Sequence, residues 1–184
     1  MRQAAWKPIM TLALVMALTA CGFHLRGTAM VPDALAPLSL SCGDDVPGPV
    51  CAGMRERLGL YNLLAEDGTT PEYRLNLSGY EQARRTSALD DRAAAAEYEL
   101  SARIAVALTT EDGIPLLADT ELNAREFYQA DEQQVLAGER EQQGIEGLLQ
   151  DQLIQQVTRR LMPFTEERID RIRSEHESTT DAAQ

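Results

Sequence analysis

The chain has 184 residues and sets 29 acidic side chains against 17 basic ones, a formal net charge of −12. A field of that sign repels phosphate-rich polyanions, so a nucleic-acid binder is excluded and any anion site must be a local cluster of cations. The length suits one domain with a single ordinary core.

Arg2 and Lys7 precede an apolar run from Ile9 to Leu18, which closes on Leu18-Thr19-Ala20-Cys21. A spanning helix needs about 20 apolar residues. This run is about half that and ends in small residues, the pattern of a bacterial export signal. Residues 1–20 are therefore expected to be cleaved off, which leaves 15 basic residues, all arginine, against 29 acids.

Leu-Thr-Ala-Cys resembles a lipobox, in which the cysteine thiol takes a diacylglycerol and the freed amine takes an acyl chain such as palmitate. Cys21 is then a lipid anchor and not a catalyst, and no other cofactor is expected. One acyl chain holds a protein only marginally, whereas several hold it effectively permanently. Gly22 stands where an aspartate would retain an enteric lipoprotein in the inner membrane. Its presence favours the periplasmic face of the outer membrane.

From Cys21 to Pro37 there is no sustained period, and Pro32 and Pro37 interrupt regular structure, so residues 21–37 read as an extended lead from the lipid. Leu38-Ser39-Leu40-Ser41 alternates as a half-buried strand does. Cys42 and Cys51 follow, nine residues apart, in a compartment where disulfides persist. The turn-rich residues between them, Asp44, Asp45, Pro47, Gly48 and Pro49, favour a bridge.

Val50, Met54, Leu58, Tyr61 and Leu64 recur at three and four residues and predict a helix from Pro49 to about Leu64. Tyr73, Leu75 and Leu77 alternate with polar residues in a second strand, a period that blurs through Tyr80 toward Arg84. The clearest strand places Tyr98, Leu100, Ala102, Ile104, Val106 and Leu108 on one face, with Glu97, Glu99, Ser101 and Arg103 opposite. Glu111-Asp112-Gly113-Ile114-Pro115 supplies a turn, and Leu116 through Tyr128 returns as the other half of a hairpin.

Ile145, Leu148, Leu149, Leu153, Val157 and Leu161 form an apolar stripe that predicts the longest helix, Glu132 to Met162, ended by Pro163. Residues 165–184 are dominated by charge and small polar groups and are expected to form a disordered tail. The whole predicts a single α/β domain over residues 38–164, a two-layer sandwich with four strands in the order strand-helix-strand-strand-strand-helix. Both helices cover one sheet face and leave the other for a partner.

Chemistry is sparse. His24 lies beside the anchor and His176 in the charged tail, and no nucleophile elbow, phosphate loop or zinc pair is present. Paired acids such as Asp90-Asp91 and Glu166-Glu167 read as solvated surface. No enzyme is expected.

Cys21-Gly22-Phe23-His24-Leu25-Arg26, directly after the lipobox, resembles the start of the mature chain in the LptE family of lipopolysaccharide-assembly lipoproteins. Ala96-Glu97-Tyr98 opening the best strand is similar to the family as well. So are Leu136-Ala137, which lead into the long helix, and Arg159-Arg160-Leu161 at its end. The resemblance implies a one-to-one plug in the LptD outer-membrane barrel, which it helps to fold and to deliver lipopolysaccharide to the outer leaflet.

Lipopolysaccharide phosphates would call for arginine forks, and the candidates are Arg92 and Arg140 first, then Arg84 and Arg85. For each of these the alternative is neutralisation of nearby acids such as Asp90, Asp91, Glu139 and Glu141. The alternative function is a free-standing periplasmic ligand-binding or chaperone lipoprotein.

Overall fold

The computed structural model describes residues 31–89, 91, 95–129 and 135–182. In chain order it comprises β1 (Leu38–Cys42), α1 (Gly48–Leu60), β2 (Tyr73–Leu89), β3 (Ala95–Thr110), β4 (Pro115–Gln129), α2 (Val135–Leu161) and α3 (Glu166–Ala182). The strands form one open sheet in the order β1-β2-β3-β4. β1 runs parallel to β2, and the remaining pairs are antiparallel. The expected two-layer α/β architecture is observed, with one helix more than the sequence pattern implied.

Alternation builds the core. Leu75 and Leu77 of β2, Leu100, Ile104, Val106 and Leu108 of β3, and Leu122 and Ala124 of β4 are buried on one sheet face. They join Val50, Met54 and Leu58 of α1 and Leu149, Leu153, Val157 and Leu161 of α2 in a single cluster. Leu148, counted in the apolar stripe, is about half exposed, at 47%. α1 and α2 approach closely at Gly53, where a Cβ would stand 2.7 Å from Ile154 Cδ1.

α1 ends four residues before the predicted Leu64. Asn62 adopts a left-handed conformation at φ 54°, Asn62 N–H donates to Gly59 O (3.0 Å), and Leu63 N–H reaches back to Leu58 O (3.1 Å). This closing pattern satisfies the last carbonyls and turns the chain. Leu64, whose spacing fits the helix, instead bridges to Leu38.

The lead is not extended throughout. Asp33–Leu35 make a 3₁₀ turn, and Val31 and Leu35 are buried in the core cluster. The expectation of a disordered tail is also corrected, for residues 166–182. α3 follows the Pro163 break as a helix, with Phe164 and Ile169 buried and Ile172 packed against the core. Two apolar contacts one turn apart are enough to dock an otherwise charged helix.

The bridge expected between Cys42 and Cys51 is present and ties the end of β1 to α1. Among the described residues no helix is long and apolar enough to cross a membrane.

Candidate functional site: the arginine-bearing end of the sheet

β2, β3 and β4 extend well beyond β1, which stops opposite Leu77. Residues 84–89 of β2, the start of β3, the end of β4 and the start of α2 therefore share one end of the molecule. At a rise of about 3.3 Å per residue, Arg84 lies roughly 35 Å along β2 from Tyr73, where the N-terminal lead enters.

A bulge decides how this end is built. Ser78 pairs with Ala105 and Glu81 with Arg103, so β2 carries one extra residue against β3, and Gly79 within it has φ +64°. One extra residue reverses which side chains point to which face. Past the bulge, Gln82 and Arg84 therefore face α2, while Glu81, Ala83 and Arg85 face the uncovered side.

Arg84 lies over the Tyr98 ring, its Cζ 4.9 Å from the centroid, and its Nη1 donates to Gln142 Oε1 of α2 (3.2 Å). Tyr98 packs in turn against Tyr128, centroids 5.5 Å apart. This cation–π stack presents a guanidinium whose plane is held by an aromatic and an amide.

Arg85 takes the opposite face. Its Nη2 donates to Glu99 Oε2 at 2.8 Å, and the pair is lopsided, with the arginine side chain 70% exposed and the glutamate 8%. The hydrogen bond to Glu99, followed by its charge, raises the Arg85 pKa further, so this cation is permanent. Arg140, near the start of α2, is exposed, two residues from Gln142. Arg92, ranked among the first candidates, lies outside the described residues, as does Cys21.

The structure thus brings Arg84, Arg85 and Arg140 to one end but splits Arg84 and Arg85 between two faces. The acidic partner of Arg85 is Glu99, not one of the acids adjacent in sequence. Glu99 and Gln142 are absent from the sequence-based candidates. Glu99 belongs to the polar set of β3, and its burial follows from cross-strand neighbours. Gln142 belongs to a polar row, Gln142, Glu146 and Gln150, spaced by four residues, whose regularity is a usable signal.

The uncovered face continues from Arg85 as a charge-paired surface. Arg103 Nη2 donates to Glu81 Oε2 (2.6 Å), and its Nη1 lies 3.7 Å from Glu121 Oε2. Small side chains, Ala83 and Ser101, floor a shallow groove of about 300 Å³ whose rim includes Glu81, Arg103 and Asn123. Phe127 is exposed on the same face, opposite Glu99. Among the described residues no three His, Cys, Asp or Glu side chains gather as metal ligands.

Residues 34–161 match the family model described as LptE, lipopolysaccharide-assembly. The chain belongs to the LptE family. An LPS-assembly lipoprotein LptE from Pectobacterium atrosepticum is 31% identical over 158 residues, 83% of each chain. One from Photorhabdus laumondii is 33% identical over 109 residues, which cover 57% of this chain and 59% of that protein. The alignment with the latter thus spans under two thirds of its length.

Among solved structures, the rare lipoprotein B of Shewanella oneidensis is 25% identical with a TM-score of 0.55, covering 79% of this chain and 97% of that one. A lipoprotein B of Nitrosomonas europaea reaches a TM-score of 0.62 at 18% identity, covering 82% and 96%, and so shares the fold. The LptE match takes in the sheet, α1 and α2 and stops before α3. The arginine-bearing end therefore lies within the part of the chain common to the family.

Proposed function

We propose that this LptE protein is an outer-membrane lipoprotein, anchored through acylated Cys21 on the periplasmic face. In this reading it plugs the LptD barrel one-to-one, supports the barrel's assembly and assists delivery of lipopolysaccharide to the outer leaflet. The observation that carries the reading is the family match over residues 34–161.

The uncovered sheet face agrees with it. A barrel lumen is polar, and a surface of paired arginines and glutamates over small side chains satisfies its own charges while offering hydrogen bonds to such a wall. Arg84 and Arg85, with Arg140 and Arg92, are proposed to meet the lipid phosphates, where planar guanidinium forks recognise oxygen pairs. No enzymatic activity is proposed.

The test is purification of the tagged, lipidated chain from its native host in mild detergent. Recovery of a single large β-barrel at equal stoichiometry supports the plug. Recovery of the chain alone, with normal surface lipopolysaccharide after its depletion, overturns the plug in favour of a free-standing lipoprotein. Charge reversal at Arg140 and Arg92 is expected to weaken lipopolysaccharide capture while leaving barrel recovery intact.

A further inference from the structure

Among the described residues, the distal part of β2 has β3 on one edge and no strand on the other, because β1 ends at Cys42 opposite Leu77. A strand held along one edge needs other contacts to keep its side chains in place. Two sets of contacts do this, and they join at Tyr80.

The first set is the disulfide loop. Beyond Cys42, Gly43 N–H donates to Leu77 O (2.8 Å) and Val46 N–H donates to Gly43 O (3.0 Å). Within this loop Asp45 Oδ2 accepts from Tyr80 N–H at 2.7 Å, next to the left-handed Gly79 of the bulge. A Cβ on Gly43 would lie 2.5 Å from Asp45 Oδ1, so the absence of a side chain there lets the carboxylate fold back onto β2. The Cys42–Cys51 bridge closes the loop over these contacts.

The second set runs from Tyr80 to the arginine. Tyr80 Oη donates to Gln82 Oε1 (3.0 Å), and Gln82 Nε2 donates to Glu146 Oε1 (3.1 Å). Approaching from the other end, Arg84 Nη1 donates to Gln142 Oε1 (3.2 Å), and Gln142 Nε2 donates to the same Glu146 oxygen (2.9 Å). Tyr128 Oη also reaches Gln142 Oε1 (3.5 Å). Both arms thus converge on one carboxylate of α2, along the seam between helix and strand.

We propose that Asp45 is a positioning residue for the arginine-bearing end: it sets the bulge at Tyr80, and the chain through Gln82, Glu146 and Gln142 carries that setting to Arg84. Asp45 touches no ligand itself. It determines the register in which Arg84 and Arg85 are offered to a phosphorylated glycolipid, and this last step rests on the function proposed above. A carboxylate accepting a backbone N–H is among the stronger single contacts available to a loop.

The test compares Asp45→Ala with Asp45→Asn, which keeps an acceptor oxygen, and with Glu146→Leu, which cuts the chain without touching the loop. The full chain in detergent is examined by amide hydrogen exchange and by binding of purified lipopolysaccharide, with its dephosphorylated form as control. Asp45→Ala and Glu146→Leu should speed exchange at residues 81–86 by about ten-fold, the factor carried by one such hydrogen bond. Amides of residues 104–108 should be unchanged. Binding should weaken by roughly three- to ten-fold, and Asp45→Asn should recover most of both effects.

Unchanged exchange at residues 81–86 in both variants overturns the proposal. So does uniform acceleration across β3, which marks general destabilisation. Faster local exchange with wild-type binding overturns the link to the arginines. If the wild-type chain binds neither form of the glycolipid, the binding role fails instead, and the exchange pattern alone decides whether Asp45 positions this end.

Discussion

Removing the Cys42–Cys51 bridge, as Cys42→Ser/Cys51→Ser, tests how much of the β1–α1 corner depends on it. The cysteines are nine residues apart, and the loop-closure entropy of a loop that short corresponds to about 2.6 kcal/mol at 25 °C, acting through the unfolded chain. Both side chains are only half-buried, so serine adds little packing cost. For a domain near 150 residues the loss converts to a fall in Tm of roughly 5–10 °C.

Urea unfolding followed by far-ultraviolet circular dichroism measures the loss directly. The slope m should rise slightly, because an unfolded chain without the bridge exposes more surface. Reductant should bring the wild type to the double-serine value and leave the double-serine protein unmoved. A loss below about 0.5 kcal/mol, with the wild-type bridge verified as oxidised, would refute the reasoning. It would mean that Pro47 and Pro49 already restrict the unfolded loop as tightly as the bond does.

The Arg85–Glu99 pair predicts an asymmetry: Arg85→Ala leaves a carboxylate that is 8% exposed without its partner and should destabilise the fold more than Glu99→Gln does; equal losses in chemical denaturation would contradict this. Gly79→Ala places a side chain at φ +64° and should cost about 1 kcal/mol through backbone strain alone, since the new Cβ meets Ala105 at an ordinary 3.6 Å; an unchanged midpoint would dismiss the strained bulge. Asp112 is held below the ordinary aspartate value, first by its hydrogen bond with Thr110 and then also by Arg173 and His176. Its folded-state pKa being depressed, its contribution is present above the unfolded value and is lost as pH falls through the lowered one. An NMR titration of Asp112 should accordingly show a midpoint below the ordinary aspartate value, and that midpoint should move up in Thr110→Val.

Much of this protein is legible without coordinates, because the information is local. The alternation from Tyr98 to Leu108 and the four-residue stripe from Leu149 to Leu161 each place their side chains on one face by backbone period alone. Those patterns are enough for four strands, two long helices and a two-layer arrangement. The hexad beginning at Cys21 resembles the start of the mature chain in the LptE family, and the match over residues 34–161 bears out the family.

What needed the tertiary structure is whatever depends on residues distant in sequence. A single extra residue at Gly79 and Tyr80 inverts the faces of β2, and local alternation cannot locate it, which is why the period blurs there. That inversion sends Arg84 to Tyr98 and Gln142 and Arg85 to Glu99, so two neighbouring arginines do different work. Burial of Glu99 depends on strands on both sides of it. The helix at Glu166–Ala182 is ordered by Ile169 and Ile172 meeting a core assembled from elsewhere in the chain, because a charged segment with two apolar contacts has nothing to dock on until that core exists.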